Sequence, residues 1–357
     1  MFVTTAFFVY GTPKGVDTYT QDTASSTPDG AQPVAVEPVH VLDIVAYDKK
    51  MNELANNPKV ATSTATSTKT VTTASSTVKA PVKKLLWPVK AVYPNYGALL
   101  PFNRIVAYYG NYYSKQMGVL GEYPEDVMLQ KLQGEVKKWE LADPSTPVIP
   151  AIHYIATTAQ RLPGKDNSYM LRMPFSQIDK SLDLAKKANG IVFLDIQTGN
   201  SNLVREVGLL QTYLAMPQVH LGIDPEFAMQ NSGRPGTIIG TIDAKEINQV
   251  AELLAEIVRK NNLPPKILII HRFTEKMVTH YQDIRPLPEV QIVMDMDGWG
   301  DQHLKKQTYR TIITQEPVQF AGFKLFYKND IRTPGSTMLT PQDILKLQPA
   351  PSYIQYQ

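Results

Sequence analysis

Cysteine is absent from the 357 residues. Disulfide bonds, thiolate zinc centres and a cysteine nucleophile are thereby excluded. An excess of charge of one sign is also missing. Lys and Arg number 36 against 33 Asp and Glu, a net charge of +3, and the charges are scattered along the chain. Such a distribution offers no footprint for a phosphate backbone, so nucleic acid is not an expected partner. Long apolar runs are lacking too. The uncharged N-terminal stretch 1–11, MFVTTAFFVYG, falls short of the ~20 residues that span a bilayer. No Gly-rich phosphate loop follows the first clear strand, where Asn111-Tyr112-Tyr113-Ser114 stands instead.

What is present falls into three spans. Residues 1–11 read as the remnant of a signal peptide or anchor, with a membrane tether through the N-terminus as one consequence. Residues 12–83 read as a linker rich in Ser, Thr, Ala and Pro. Its stretch 60–82, VATSTATSTKTVTTASSTVKAPV, has too little apolar surface to offset its chain entropy. Within the linker span, Pro38–Glu53 has the composition of a short strand, a helix or a sticky patch. An exported, extracellular or envelope-associated protein is the expectation from this disordered tether.

From residue 84 apolar runs alternate with amphipathic segments. Strands are expected at Arg104–Tyr109, Val148–Ile155, Gly190–Ile196, Val219–Asp224, Lys266–Arg272, Val290–Met296 and Phe320–Tyr327. Helices are expected between them. One lies within Phe175–Asn189 with Ser176 as N-cap, another starts at Asp243, and others cover Thr274–Ile284 and His303–Thr314. This order defines an α/β chain. Strands apolar throughout, with polar residues at their C-terminal ends, favour a (β/α)8 TIM barrel over 84–357 rather than an open sheet. Seven strands are clear. The eighth is sought in 85–100 or 312–318, or is absent.

The strand ends carry the candidate chemistry. They present Tyr108 and Tyr109, His153 and Tyr154, Asp195 and Gln197, Asp224 and Glu226, His271 and Arg272, Asp295 and Asp297 before Trp299, and Lys324. Taken singly, such residues are commonly hydrogen-bonded structural groups or turn formers. Five acids converging on one rim would repel unless cations intervene or some stay protonated. Extended-chain alternation puts Asp224 and Glu226 on one face, with Pro225 ending the strand pairing. A protonated acid beside a second carboxylate, with aromatic platforms, is what glycosidic cleavage requires. Glu226 is therefore the expected acid, supported by Asp224, Asp195 and Asp295. Tyr108, Tyr109, Tyr154 and Trp299 would hold sugar, with His153, Gln197, His271, Asp297 and Lys324 around it. His153, Asp195, Asp224, His271 and Asp295 also admit a mixed N/O metal reading. No His-x-His or His-x-x-x-His pair backs it, so neither metal nor cofactor is expected. The segment Phe227–Ile242, with Gly233-Arg234-Pro235-Gly236, has the length of a lid or of a plain connector.

Three stretches carry a resemblance: Gly222-Ile223-Asp224-Pro225-Glu226-Phe227, Leu263-Pro264-Pro265-Lys266 through Thr274, and Asp295-Met296-Asp297-Gly298-Trp299-Gly300. With Gly322–Tyr327 and Pro349–Gln357, they resemble an uncharacterised family of bacterial secreted proteins and lipoproteins over about residues 100–357. The lipid-attachment Cys that family often bears is missing here. The Asp-x-Glu at the end of strand four is also loosely similar to that of chitinase-like and lysozyme-like glycoside hydrolase barrels. The Asp-x-x-Asp-x-Asp-x-Glu run of the chitinases is incomplete here. What this looser resemblance implies is hydrolysis of a polysaccharide or cell-envelope glycan. A non-catalytic barrel that binds glycan or peptidoglycan, and a metal-dependent hydrolase, stand as alternatives.

Overall fold

The computed structural model describes residues 41–58, 85–164, 166–230 and 232–357. Segment 1–11 and most of the span read as linker lie outside the described residues. Eight strands run parallel: β1 (Arg104–Gly110), β2 (Val148–Ala159), β3 (Ile191–Ile196), β4 (Val219–Ile223), β5 (Lys266–Arg272), β6 (Val290–Met296), β7 (Phe320–Leu325) and β8 (Tyr353–Tyr356). Each pairs with the next, and β1 also pairs with β8, so the sheet closes into a barrel with no free edge. A short segment, Met170–Arg172, pairs antiparallel with the far end of β2 outside the barrel.

The eighth strand is neither 85–100 nor 312–318. It is Tyr353–Tyr356, four residues directly after the Pro-rich run that ends β7's return, and all four are buried. The helix expected over Thr274–Ile284 is also corrected. Two single 3-10 turns, Glu275–Met277 and Tyr281–Asp283, flank the two-residue strand Val278–Thr279, which pairs with Ile242–Asp243. Ser176 does not cap the helix Phe175–Lys187; Pro174 occupies that position with no side-chain hydrogen bond. Asp243 does cap Ala244–Asn261, accepting from Lys245 N. Two short helices, Leu203–Leu209 and Gln211–Leu214, follow β3.

Period-two alternation sorts the strand side chains into two cores. Val106, Tyr108, Ile152, Tyr154, Val192 and Leu194 face the surrounding helices. Ile105, Ala107, Ala151, Phe193, Ile269 and Val293 fill the barrel interior. Helix α1 (Ile44–Ala55) joins this interior core through Tyr47 and Met51, although its residues fall within the span read as linker. Asp43 caps it, accepting from Ala46 N at 2.9 Å, and its face of Tyr47, Met51 and Ala55 follows helical spacing. Among the described residues no helix is long and apolar enough to cross a membrane.

Candidate active site

The C-terminal ends of the strands open into a cavity of about 510 Å³. Tyr109, Gln197, Asp224, Asp297 and Lys324 line its polar side. Phe227, Phe273, Trp299 and Phe326 supply aromatic walls, and Glu226 also lines it. A second hollow of about 730 Å³ shares Met117 and Ala159 with the first and continues past Arg161 and Arg234. The loop after β4 thus lines both hollows, through Phe227 in one and Arg234, Pro235 and Thr237 in the other.

Asp224 and Glu226 meet the cavity by a route the strand alternation did not anticipate. β4 stops at Ile223, and Asp224 caps a 3-10 turn over Pro225–Phe227. Its carboxylate accepts from Glu226 N at 3.1 Å and, through Oδ2, from Gln197 Nε2 at 3.3 Å. Gln197 Oε1 accepts in turn from Ala159 N at 3.0 Å, which fixes the amide's direction. Burial raises the Asp224 carboxyl well above the ordinary range, and nearby Asp195, Glu226 and Asp297 add to the effect against His271. Glu226 is half-buried. Burial first, then the charge of Asp297, raises its pKa to about 7. Asp297 pairs with Lys324 at 3.0 Å, and the Lys324 ammonium lies 3.9 Å over the Tyr109 ring.

Beneath this floor lies a sealed layer. His153, Asp195, His271 and Asp295 have no solvent exposure at all. Asp195 Oδ1 is 3.3 Å from His153 Nε2 and 3.4 Å from His271 Nε2, while its Oδ2 accepts from the Tyr109 hydroxyl at 2.9 Å. His271 Nδ1 lies 3.2 Å from Asp295 Oδ2 and 3.4 Å from Asp297 Oδ2. The distances around His271 are those of ion pairs without hydrogen-bond alignment: neither of its ring nitrogens has an aligned hydrogen-bond partner, and neither has either oxygen of Asp295. Burial lowers His153 to about 4. Burial also disfavours the His271 imidazolium, but Asp195, Asp295 and Asp297 outweigh it and hold that ring well above its ordinary value. Asp195 is destabilised as an anion by burial, yet His271 and His153 hold it well below the usual carboxylate range.

Several expected residues therefore have other places. Asp195 and Asp295, expected on the rim, lie in the sealed layer below the cavity instead. Tyr108 and Tyr154 do not reach sugar-binding positions. Their parity turns them outward, where Tyr108 hydrogen-bonds the Tyr327 hydroxyl at 3.0 Å and Tyr154 stacks on Tyr112 at 4.7 Å. Arg272 also turns outward, to Glu316 and to the carbonyls of Thr274 and Glu275. Tyr109, Gln197, Asp224, Glu226, Asp297, Trp299 and Lys324 do share the cavity.

Two residues that shape the mouth were not foreseen. Buried Lys305 donates to Gly298 O at 2.8 Å and Lys324 O at 2.7 Å and pairs with Asp330 at 3.0 Å. Asp330 accepts from Gly300 N and Phe326 N. This pair ties the loop carrying Trp299 to the end of β7. Lys305 sits beside a second lysine in the largely polar helix Gln302–Tyr309, where its burial leaves no sequence signal.

No family model matches the chain, and no curated protein sequence matches it. Solved structures similar to it include glycoside hydrolases. A GH5 xyloglucan-specific endo-β-1,4-glucanase from a metagenomic library, solved with cellotriose, is 13% identical over 64% of this chain and 77% of its own, at a TM-score of 0.33. A GH5-4 broad-specificity endoglucanase from Clostridium longisporum is 11% identical over 63% and 75%, at 0.35. A mannanase from Bacillus subtilis is 11% identical over 72% and 81%, at 0.34. Likenesses this distant say nothing about the reaction, and the barrel rests on its own strand pairing.

Proposed function

We propose that the protein is an exported glycoside hydrolase acting on a polysaccharide or cell-envelope glycan, with Glu226 as its general acid. The observation that carries this reading is the half-buried Glu226 carboxyl, raised to about 7 and lining an aromatic-walled cavity. An acid with that value keeps its proton near neutrality and gives it up readily to a departing glycosidic oxygen. Asp297, paired with Lys324, is the second carboxylate. It would face the positive charge that develops on the sugar ring. Asp224, raised well above the ordinary carboxylate range by burial, is better suited to donate a hydrogen bond than to act as an anion. Trp299, half exposed, and Phe227 give flat apolar faces for sugar rings. The adjoining hollow suits a chain longer than one sugar. Export rests on segment 1–11 and the Thr/Ser-rich stretch 60–82 alone.

E226Q keeps the shape of the side chain and removes its proton. With β-glucans, mannans and peptidoglycan as substrates, reducing-end release should fall roughly 10²–10⁴-fold while glycan binding persists. Undiminished turnover by the Gln variant would remove Glu226 from the mechanism. If the parent binds glycan but cleaves none of the panel, the reading gives way to a non-catalytic glycan-binding barrel. The sealing of Asp195 and Asp295 favours that second reading, because it leaves fewer carboxylates at the mouth.

A further inference from the structure

We infer that His153, Asp195 and His271 form a binding site for a divalent transition cation of the zinc type, inside the barrel and beneath the cavity floor. One nitrogen from each histidine and one Asp195 oxygen lie within 4.8 Å of one another. The two N···O separations, 3.3 and 3.4 Å, are long for charge-assisted hydrogen bonds, although the first, from His153, still has hydrogen-bond geometry. They equal the edge of a tetrahedron whose corners lie at zinc–nitrogen and zinc–oxygen distances, about 3.3–3.5 Å. Neither His271 ring nitrogen has an aligned hydrogen-bond partner, although the ring is completely buried. Polar atoms at that depth with no aligned hydrogen bond are costly, and a cation bound at Nε2 removes the deficit there.

The outer groups fit the same assignment. A metal-bound imidazole presents its other N–H to an acceptor. His271 Nδ1 faces Asp295 Oδ2 at 3.2 Å, and Asp295 has no aligned hydrogen-bond donor of its own. His153 Nδ1 faces the Tyr353 hydroxyl at 2.6 Å. Gln355 Nε2 also lies 3.0 Å from Nδ1; turning that amide over places its otherwise unpartnered Oε1 against the hydroxyl and lets Nδ1–H donate. Asp195 keeps Oδ1 for the cation because Oδ2 accepts from Tyr109. Charge agrees as well. Asp195, Asp295 and Asp297 all lie within ion-pair distance of His271, and Lys324 pairs with Asp297 alone among them. Gly222 completes the fit, since a Cβ there would lie 2.5 Å from His153 Nε2 and closer still to Asp195 Oδ1.

Full-length protein stripped with chelator and titrated with Co2+ tests the site. We expect one equivalent to bind with the intense visible bands of cobalt held by fewer than six ligands, displaced by Zn2+ with a dissociation constant below about 1 µM. D195N and H271Q should lose the bands, and E226Q should keep them. A six-coordinate cobalt spectrum, no saturable uptake, or equal binding by D195N and H271Q would overturn the site. If either variant fails to fold, the spectrum of the parent decides alone. The readout needs no turnover, so failure of the glycosidase reading and failure of the cation site are distinguishable.

Discussion

Glu226 owes its character to its surroundings more than to its own chemistry. Its folded value of about 7 stands above the unfolded value, so the folded protein holds that proton more tightly. The associated stability is fully present below about pH 4.3 and is lost as pH rises through about 7. Above that point a half-buried carboxylate burdens the fold, and the amide of E226Q does not. Thermal denaturation at about pH 8.5 should find E226Q more stable by roughly 1–3 kcal/mol, with the gap closing near about pH 4. A gap of equal size at both values would mean that the carboxyl is not perturbed. Asp297 is the next largest cause of the shift after burial. D297N should therefore lower the Glu226 value and move the alkaline limb of the pH–rate profile to lower pH. A limb that stays in place would separate the two carboxylates.

At the scale of the element, glycine decides how closely strand interiors approach. A Cβ on Gly322 in β7 would lie 2.5 Å from Asp295 Oδ1 and 3.1 Å from the Asp295 Cα, which belongs to the neighbouring strand's backbone and cannot swing away. G322A should cost about 1–3 kcal/mol in denaturant titration. Gly134, within the helix Glu125–Ala142, has nothing within 4 Å, so G134A should stabilise by about 0.5–1 kcal/mol. If G322A is neutral or stabilising, the packing at Gly322 is looser than drawn. Strands are also where the sequence was most legible. β1 to β7 announce themselves as apolar runs because both faces are covered. β8 does not, because four residues behind Pro349 and Pro351, with Gln355 pointing inward, carry no such run. Alternation sorts Tyr109 from Tyr108 and His153 from Tyr154, so admitting both members of each pair to the site overcounted it. Depth is a different matter. Whether an inward residue reaches the mouth or stops a layer below depends on strand stagger, and that separates Asp195 from Gln197 and Asp295 from Asp297. Glu226 reached the cavity for a reason the sequence hides, a 3-10 turn where an extended strand end was expected.

For the molecule as a whole, the barrel has two ends with opposite duties. The C-terminal end carries the carboxylates and the cavity. The other is joined by α1, whose Tyr47 and Met51 pack with Ile105, Ile267 and Phe320 of the barrel interior. Hydrogen bonds hold the helix in place: Leu54 O accepts from Ala350 N at 2.7 Å, and Asn56 Nδ2 donates to Leu347 O at 2.8 Å. Those two acceptor and donor segments lead directly into β8, so the docked helix also braces the shortest strand of the closed sheet. Barrel closure depends on that strand, since β8 alone joins β7 to β1. Shortening Met51 to Ala deletes buried side-chain volume from a site walled by barrel residues and should cost about 2–5 kcal/mol. Lys49, exposed on the same helix, serves as control: K49A should stay within about 0.5 kcal/mol of the parent. Denaturant titration of the full chain reads both. Because Met51 and Glu226 sit at opposite ends of the strands, M51A should leave the pH of half-maximal turnover unchanged while lowering the unfolding midpoint. A midpoint equal to that of K49A would show that α1 is not docked in solution. A shifted pH profile would show that the two ends of the barrel are coupled.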